Sequence, residues 1–426
     1  MDLTTAKQQL ATASATHHEP SALTKRRLAA LAAFKTLALP KMPKLKFQTW
    51  PFFERQPNLT WTGAAAFDLA PALEGQVRLT QVGQVTLDAH VPAALKDQGV
   101  LLMDLFTALQ TVPDLVLKFL MTVVKADENK LTAHHLAYLN AGAFLYVPRD
   151  VKVTAPVEIN VTQDSTQPHQ PLIHHLLIVA EANSQVDVIQ HLTTQGTAAN
   201  PASLMVEIVA QANSRVTFSS LDELGAQTVT YFKRRAQIGR DAKVEWAVGM
   251  MNAGNTVGEM DSELVGEGGE GDSKLIAITT ADQQVGINNR VTHHGQHTTG
   301  LINQRGVLLG QSRLVFNGIG EIIHGAHGAK AEQQNRVLMM SPATRGDANP
   351  ILLIDENDVE AGHAASVGPV NPVQLNYLLS RGIPKPVAQR LVIRGFLAAV
   401  LTAIPTQRVR EELIAILERK LTDGKA

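Results

Sequence analysis

The side chains best able to carry chemistry are fifteen histidines, set in a chain without a single cysteine. His293-His294-Gly295-Gln296-His297 is the densest group. Read as a strand, it sends His293 and His294 to opposite faces. His293 and His297 then lie about 13 Å apart, awkward for two ligands of one ion. Surface or stacked histidines are the expectation there. His324-Gly325-Ala326-His327 lies in a glycine-rich turn where two imidazoles could converge on a metal, although an ordinary turn is the preferred reading. Gly266-Glu267-Gly268-Gly269-Glu270-Gly271 has the GxGxxG spacing of a dinucleotide loop. Its acids, with Asp272, would repel a pyrophosphate, and the following Ser273-Lys274-Leu275-Ile276 reads as a strand, not a helix. A turn is the better assignment. No Gly-Lys-Ser/Thr closes a Walker loop, and no Gly-x-Ser-x-Gly marks a nucleophile elbow. Without cysteine the chain has no disulfide, no thiol nucleophile, no cysteine-bound zinc and no all-thiolate cluster site.

The chain has 426 residues, 45% hydrophobic and 18% charged, long enough for two or three packed units. Its 38 basic and 39 acidic side chains leave a net charge of −1, which gives no global reason to expect nucleic acid or an anionic membrane as partner. Aromatic residues make up 4%, too few for a base-stacking platform. No run approaches the ~20 apolar residues of a membrane span, and the polar start MDLTTAKQQLATASATHHEP lacks the apolar stretch of a signal peptide. A cytoplasmic protein is the expectation. Residues 1–50 carry eight Lys/Arg against two acids, read here as a solvated helix face.

Residues 1–40 read as helical, with Leu28, Leu31, Phe34 and Leu37 as the apolar stripe and Pro40 and Pro43 as the stop. Residues 100–125 predict two short amphipathic helices split at Pro113. From about residue 140 short Val/Ile-rich runs alternate with small turns, which predicts strands. A unit of polar, small, long polar and apolar residue recurs as Asn183-Ser184-Gln185-Val186, Asn213-Ser214-Arg215-Val216, Asp241-Ala242-Lys243-Val244, Asp272-Ser273-Lys274-Leu275 and Gln311-Ser312-Arg313-Leu314. The apolar positions are 30, 28, 31 and 39 residues apart, with a weaker copy at Asp150-Val151-Lys152-Val153. Units this short without a helix fit neither an α-solenoid nor a four-stranded propeller blade. They fit a parallel β-helix whose coils stack about 4.8 Å apart. A β-sandwich of similar hairpins is the alternative. Helical periodicity returns after about 370, with Leu375, Leu378 and Leu379 on one face, then Leu391, Val392, Phe396 and Val400 on another, broken at Arg381-Gly382-Ile383-Pro384. A last helix over about 405–421 starts at Pro405-Thr406 and carries Val409, Leu413, Leu417 and Leu421.

An ordered series of motifs then stands out: Phe316-Asn317-Gly318, Gln334-Asn335-Arg336-Val337-Leu338-Met339-Met340-Ser341, Asp358-Val359 through His363 and Val367-Gly368, Leu378 through Pro384, and Arg390 through Phe396. With Leu139-Asn140, Phe144 through Pro148 and the Trp50 region upstream, this series resembles the SufB/SufD family of iron–sulfur cluster assembly proteins over about 40–400. The resemblance implies a right-handed parallel β-helix, mainly β, flanked by N-terminal and C-terminal helical regions. The divisions expected are 1–135, mostly helical, 136–368, the β-helix, and 369–426, a helical domain that binds SufC.

The family pattern Asp-Val-x-Cys-x-His-Gly corresponds here to Asp358-Val359-Glu360-Ala361-Gly362-His363-Ala364. Ala361 replaces the cysteine, which sets the resemblance on the SufD side of the family, and Ala364 replaces the glycine. His363 matches the family histidine and is the one metal-ligand candidate carried over, against a plain interface role. The implied role is a non-catalytic scaffold subunit that pairs with a SufB-type paralogue and docks a SufC-type ABC ATPase. No cofactor is expected in the isolated chain; iron or an iron–sulfur cluster would be held transiently in the complex with SufB. Tyr377, Leu378 and Phe396 on the amphipathic C-terminal helices are the candidate partner-binding residues. A homodimer of the isolated chain stays open. The competing classes are a β-helical carbohydrate-active enzyme, which lacks here an export signal and aromatic sugar platforms, and a homomeric structural protein.

Overall fold

Two parallel sheets wound as one solenoid make up the body of the chain, seen in a computed structural model that describes residues 3–53, 67, 69, 72–402 and 407–423. Ahead of it come α1 (Leu3–Thr16), α2 (Ser21–Ala33), β1 (Val77–Val82), β2 (Val85–His90), α3 (Ala93–Lys96), β3 (Leu101–Asp104), α4 (Leu105–Thr111), α5 (Pro113–Phe119) and α6 (Lys130–Tyr138). The first coils pair β4 (Ala141–Val147) with β5 (Lys152–Ser165), β6 (Leu172–Ala180) with β7 (Gln185–Gly196), β8 (Ala202–Ala210) with β9 (Arg215–Asp222), and β10 (Thr230–Ile238) with β11 (Lys243–Met250). The last coils pair β12 (Thr256–Leu264) with β13 (Glu270–Thr279), β14 (Gln284–His293) with β15 (Thr299–Leu308), β16 (Arg313–Ile322) with β17 (Ala329–Met339), and β18 (Arg345–Ile354) with β19 (Val359–Pro369). Three helices follow: α7 (Pro372–Ser380), α8 (Lys385–Leu401) and α9 (Gln407–Asp423). Sheet 1 runs β2-β1-β5-β7 and on through the odd strands to β19; sheet 2 runs β3-β4-β6 and on through the even strands to β18. This is the parallel β-helix with helical ends read from the sequence.

The coil repeat has a backbone cause. Each strand of sheet 1 from β5 to β17 follows a corner residue in the left-handed region: Asp150, Asn183, Asn213, Asp241, Gly268, His297 and Gly328, with φ between 54° and 68°. Asn, Asp and Gly tolerate this conformation best. The corners are 33, 30, 28, 27, 29 and 31 residues apart, and the strands after them are in register apart from a bulge in β5 between Val153 and Val157. Side chains also stack: Asn183 Nδ2 donates to Asp150 Oδ1 at 2.7 Å, and Asn213 Nδ2 to Asn183 Oδ1 at 2.9 Å. Two proposed copies of the sequence unit are therefore misplaced. Asp272-Ser273-Lys274-Leu275 lies inside β13, whose corner is Gly268. Gln311-Ser312-Arg313-Leu314 opens β16 in sheet 2, at the opposite corner, where Gly310 is left-handed. The interval of 39 residues joins the interior of a sheet 1 strand, β13, to the start of a sheet 2 strand, β16.

Inward side chains fill the lumen with Val, Ile, Leu and Phe, and Trp246 packs edge-on against Phe218 at 5.4 Å. One ion pair is buried among them: Arg234 NH2 donates to Asp222 Oδ1 and Oδ2 at 2.9 and 2.8 Å and lies over the rings of Phe232 and Phe218. Outside, the two sheets are covered differently. The N-terminal helices pack on sheet 2 through Leu177, Val179, Met205 and Val209. Buried Glu207 anchors that layer by accepting hydrogen bonds from the Met121, Val123 and Val124 amides. The predicted N-terminal helix is two helices and ends at Ala33; beyond it an extended strap crosses sheet 2, burying Met42, Leu45 and Phe47 against Tyr231, Val257 and Val315. Gly286 leaves room for it, because a Cβ there would lie 2.6 Å from Leu45 Cδ2. Helices α8 and α9 lie on sheet 1. Ile393, Leu397, Val400 and Leu401 are the buried stripe of α8, while Leu391 stays 44% exposed, so the face predicted from Leu391 to Val400 is rotated. The predicted helix start at Pro405-Thr406 falls outside the described residues, as does the side chain of Val409.

Candidate functional site

The two ends of the solenoid are unlike. At the first end β1–β2 and β3–β4 pair antiparallel and the N-terminal helices adjoin them. At the other end β18 and β19 are the outermost strands of both sheets, with no further strand beyond them among the described residues. Their outward backbone N–H and C=O groups are open to another chain. Leu353, Ile354 and Val367 on this rim are 45%, 44% and 40% exposed.

Register fixes what the open mouth presents. Ala361, His363, Ala365 and Val367 of β19 stand over Ala331, Gln333, Asn335 and Val337 of β17, which are the buried alternation of that strand. His363 is therefore on the lumen side of the last coil, exposed because no further coil stacks on it among the described residues, and its side chain makes no hydrogen bond or ion pair with them. Glu360 faces away, 3.2 Å from Lys330. Beneath His363 the lumen turns polar: Gln333 Nε2 donates to the Ile351 carbonyl at 2.9 Å, and Gln304 Nε2 to Asn335 Oδ1 at 2.8 Å. Gln333 Oε1, Asn335 Nδ2 and Gln304 Oε1 are buried without partners. A mouth lined by one imidazole and carboxamides offers nitrogen and oxygen donors and no thiolate.

Beside the mouth, α7 and α8 leave a groove of about 1270 Å³ against sheet 1. Helix α7 starts where Asn371 Oδ1 accepts from the Val373 amide, with Pro372 in the first turn. It stops at Gly382, whose φ of +78° lets the Ile383 amide return to the Leu378 carbonyl. This reversal turns α8 back along the sheet. Tyr377, Leu378 and Phe396, the candidate partner-binding residues, all line the groove, with Val373 and Leu391. Val373 is 73% and Tyr377 58% exposed, while Phe396 is half-buried beneath the Arg305 guanidinium at 5.4 Å. The apolar wall is thus held in place and left uncovered.

The other histidines separate cleanly. His293 is buried, contrary to the surface or stacked role expected, and its Nδ1 lies 2.8 Å from Thr298 Oγ1; burial holds its pKa down at about 4. His294 faces out, 2.9 Å from Glu263. His324 and His327 lie 4.0 and 3.3 Å from Glu356, which also accepts the Gly325 amide. Among the described residues no three His, Cys, Asp or Glu side chains are grouped to hold a metal ion. Gly266–Gly271 forms the corner between β12 and β13, as expected of a turn. The buried Arg234–Asp222 pair escaped the sequence reading, although the alternation of β9 and β10 held the signal for it. No helix among the described residues is long and apolar enough to cross a membrane.

Comparison with known proteins bears on this arrangement. Residues 161–396 match the family model described as SUF system FeS cluster assembly, SufBD core domain, and residues 71–159 match the SufBD protein N-terminal region. The chain is 41% identical to the iron–sulfur cluster assembly protein SufD of Bacillus subtilis, over 97% of this chain and 98% of that protein. An iron–sulfur cluster assembly SufBD family protein of Pyrococcus horikoshii is 27% identical, over 77% of this chain and 72% of its own length. A SufBD family protein of Trieres chinensis is 26% identical, over 87% and 78%.

Proposed function

We propose, for a chain that belongs to the SufBD family of the SUF iron–sulfur cluster assembly system, the role of a non-catalytic scaffold subunit. It pairs with a SufB-type paralogue through the open rim and docks a SufC-type ATPase at the C-terminal groove. The observation that carries this reading is the pair of unpaired edges at β18 and β19 with His363 on the lumen side between them. A second β-helix end set against that rim would continue both sheets and enclose His363. Ala361 supplies no ligand, so the thiolate comes from the paralogue. Iron and sulfide are cargo here, held only while the two chains are joined; neutral imidazole adds no charge to a thiolate-bound iron. In isolation the same rim closes against a second copy of the chain.

The groove takes an amphipathic surface of the ATPase on Val373, Tyr377 and Leu391. Static light scattering on mixtures of the three purified subunits tests the assignment. Wild-type chain is expected to form a ternary complex. Tyr377→Glu/Leu391→Glu is expected to lose the ATPase and keep the paralogue. Retention of the ATPase at unchanged affinity would overturn the groove assignment, and failure of the wild-type chain to bind the paralogue would overturn the role itself.

A further inference from the structure

We propose that a basic pocket on the outer face of sheet 2 binds a phosphate-bearing small molecule. The pocket holds about 340 Å³ and is lined by Lys44, Lys46, Gln284, Arg313, Arg345 and Asp347, over Leu45 and Val315. It lies on the opposite sheet from the helical groove; Arg345 and Asp347 belong to β18, whose backbone edge the scaffold role uses, while their side chains line the pocket on the outer face.

The arrangement begins with the strap. Met42, Leu45 and Phe47 are buried beneath it, which leaves Lys44 and Lys46 on its exposed side. Lys44 holds φ at +67°, a left-handed conformation that a side-chain-bearing residue rarely adopts. Its Nζ reaches the sheet, 3.3 Å from Asp347 and hydrogen-bonded to Asn349 Oδ1. Below, Gln284, Arg313 and Arg345 are register partners on β14, β16 and β18. The two arginines thus stand one strand spacing apart, about 4.8 Å, a placement in which like charges repel.

One carboxylate answers four cations. Asp347 is shared by Lys44 and by Arg345, whose Nε lies 3.1 Å away. The Arg313 guanidinium and the Lys46 ammonium make no hydrogen bond or ion pair with the described residues, although the Arg313 amide donates to the Gln283 carbonyl at 2.8 Å. The surplus of positive charge is local, because the whole chain carries −1. Guanidinium and ammonium groups converging on one hollow suit a tetrahedral oxyanion, whose oxygens can bridge neighbouring donors. A phosphoryl dianion matches the surplus better than a single carboxylate. The hollow is sized for a small ligand, and it lacks the extended basic stripe that a nucleic acid backbone requires.

Isothermal titration calorimetry on the full chain with inorganic pyrophosphate, ADP and succinate tests the proposal. Pyrophosphate is expected to bind, more weakly as salt rises, and Arg313→Gln/Lys46→Gln is expected to weaken it at least tenfold with an unchanged circular dichroism spectrum. ADP binding tenfold tighter than pyrophosphate would support a nucleotide as the source; equal binding would support a simpler phosphate compound. No binding at millimolar pyrophosphate, unchanged affinity in the double variant, or succinate binding as well as pyrophosphate would overturn it.

Discussion

Asp222→Leu should be among the most damaging single substitutions in the lumen, although it adds apolar volume to an apolar core. Arg234 and Asp222 are each 1% exposed, and the carboxylate takes two hydrogen bonds from Arg234 NH2. Ser220 donates to the same carboxylate. Arg234 Nε and NH1 have no partner, so after loss of Asp222 the guanidinium keeps only Ser220 and the faces of Phe218 and Phe232. Removing one member of a buried pair costs about 3–5 kcal/mol, whereas replacing both by apolar residues is close to neutral. With an unfolding entropy of about 2.1 cal/mol/K per residue, the whole chain unfolds with about 0.9 kcal/mol/K, so the single substitution lowers Tm by roughly 3–6 °C. Arg234→Met should act similarly, and Asp222→Leu/Arg234→Met should return to within about 2 °C of wild type. Thermal unfolding followed by circular dichroism reads all four proteins. A shift below about 1 °C for Asp222→Leu, or a double variant displaced by the sum of the singles, would refute the reasoning.

Acid should destabilise the fold well before its carboxylates are neutralised. Burial holds His134 and His174 at about 3 and His293 at about 4, against 6.5 for a free imidazole. These groups stay neutral in the folded chain while the unfolded chain takes up protons, so stability falls as pH drops below 6.5, by about 1.4 kcal/mol per unit for each. Urea midpoints should be level above pH 7 and decline steeply between 6 and 5; a midpoint that rises over that interval would contradict the burial argument. Gly286→Val should lift the strap, since even a Cβ would meet Leu45 and Met42 at 2.6 and 2.9 Å. Trypsin should then cut faster at Lys41, Lys44 and Lys46, and an unchanged digestion pattern would show that the strap is held elsewhere.

How far the sequence could be read depended on which residue occupied each corner. Asn183, Asn213 and Asp241 declare a left-handed turn by residue type, and the β-helix follows from their spacing. At the next two corners Gly268 and His297 take the same conformation under different letters, so the pattern slid to Asp272 and then to Gln311 on the other side of the coil. The C-terminal break was legible because Gly382 and Pro384 are strong stops. Which face of α8 is buried was not, since Leu391 and Leu397 are equally apolar and only the sheet 1 surface chooses between them. Tyr377, Leu378 and Phe396 are legible as one amphipathic surface, but the groove they line depends on how α8 folds back. His363 was singled out by resemblance; its place on the lumen side comes from the register with β17. The basic strap read as a helix face because its charges are visible in sequence and the three buried anchors between them, Met42, Leu45 and Phe47, do not follow a helical period.

His363 at the open mouth is the residue through which this chain would act on the cluster, and cluster assembly in the reconstituted complex tests that role directly. The complex of this chain with a SufB-type paralogue and a SufC-type ATPase would be supplied with iron and sulfide, and the cluster absorbance followed in time. Parallel samples would lack this chain or carry His363→Ala. Without the chain, assembly should fall sharply. With His363→Ala the complex should form at wild-type stoichiometry yet build clusters several-fold more slowly. Clusters formed at the wild-type rate by that variant would contradict the ligand role and leave His363 an ordinary interface residue.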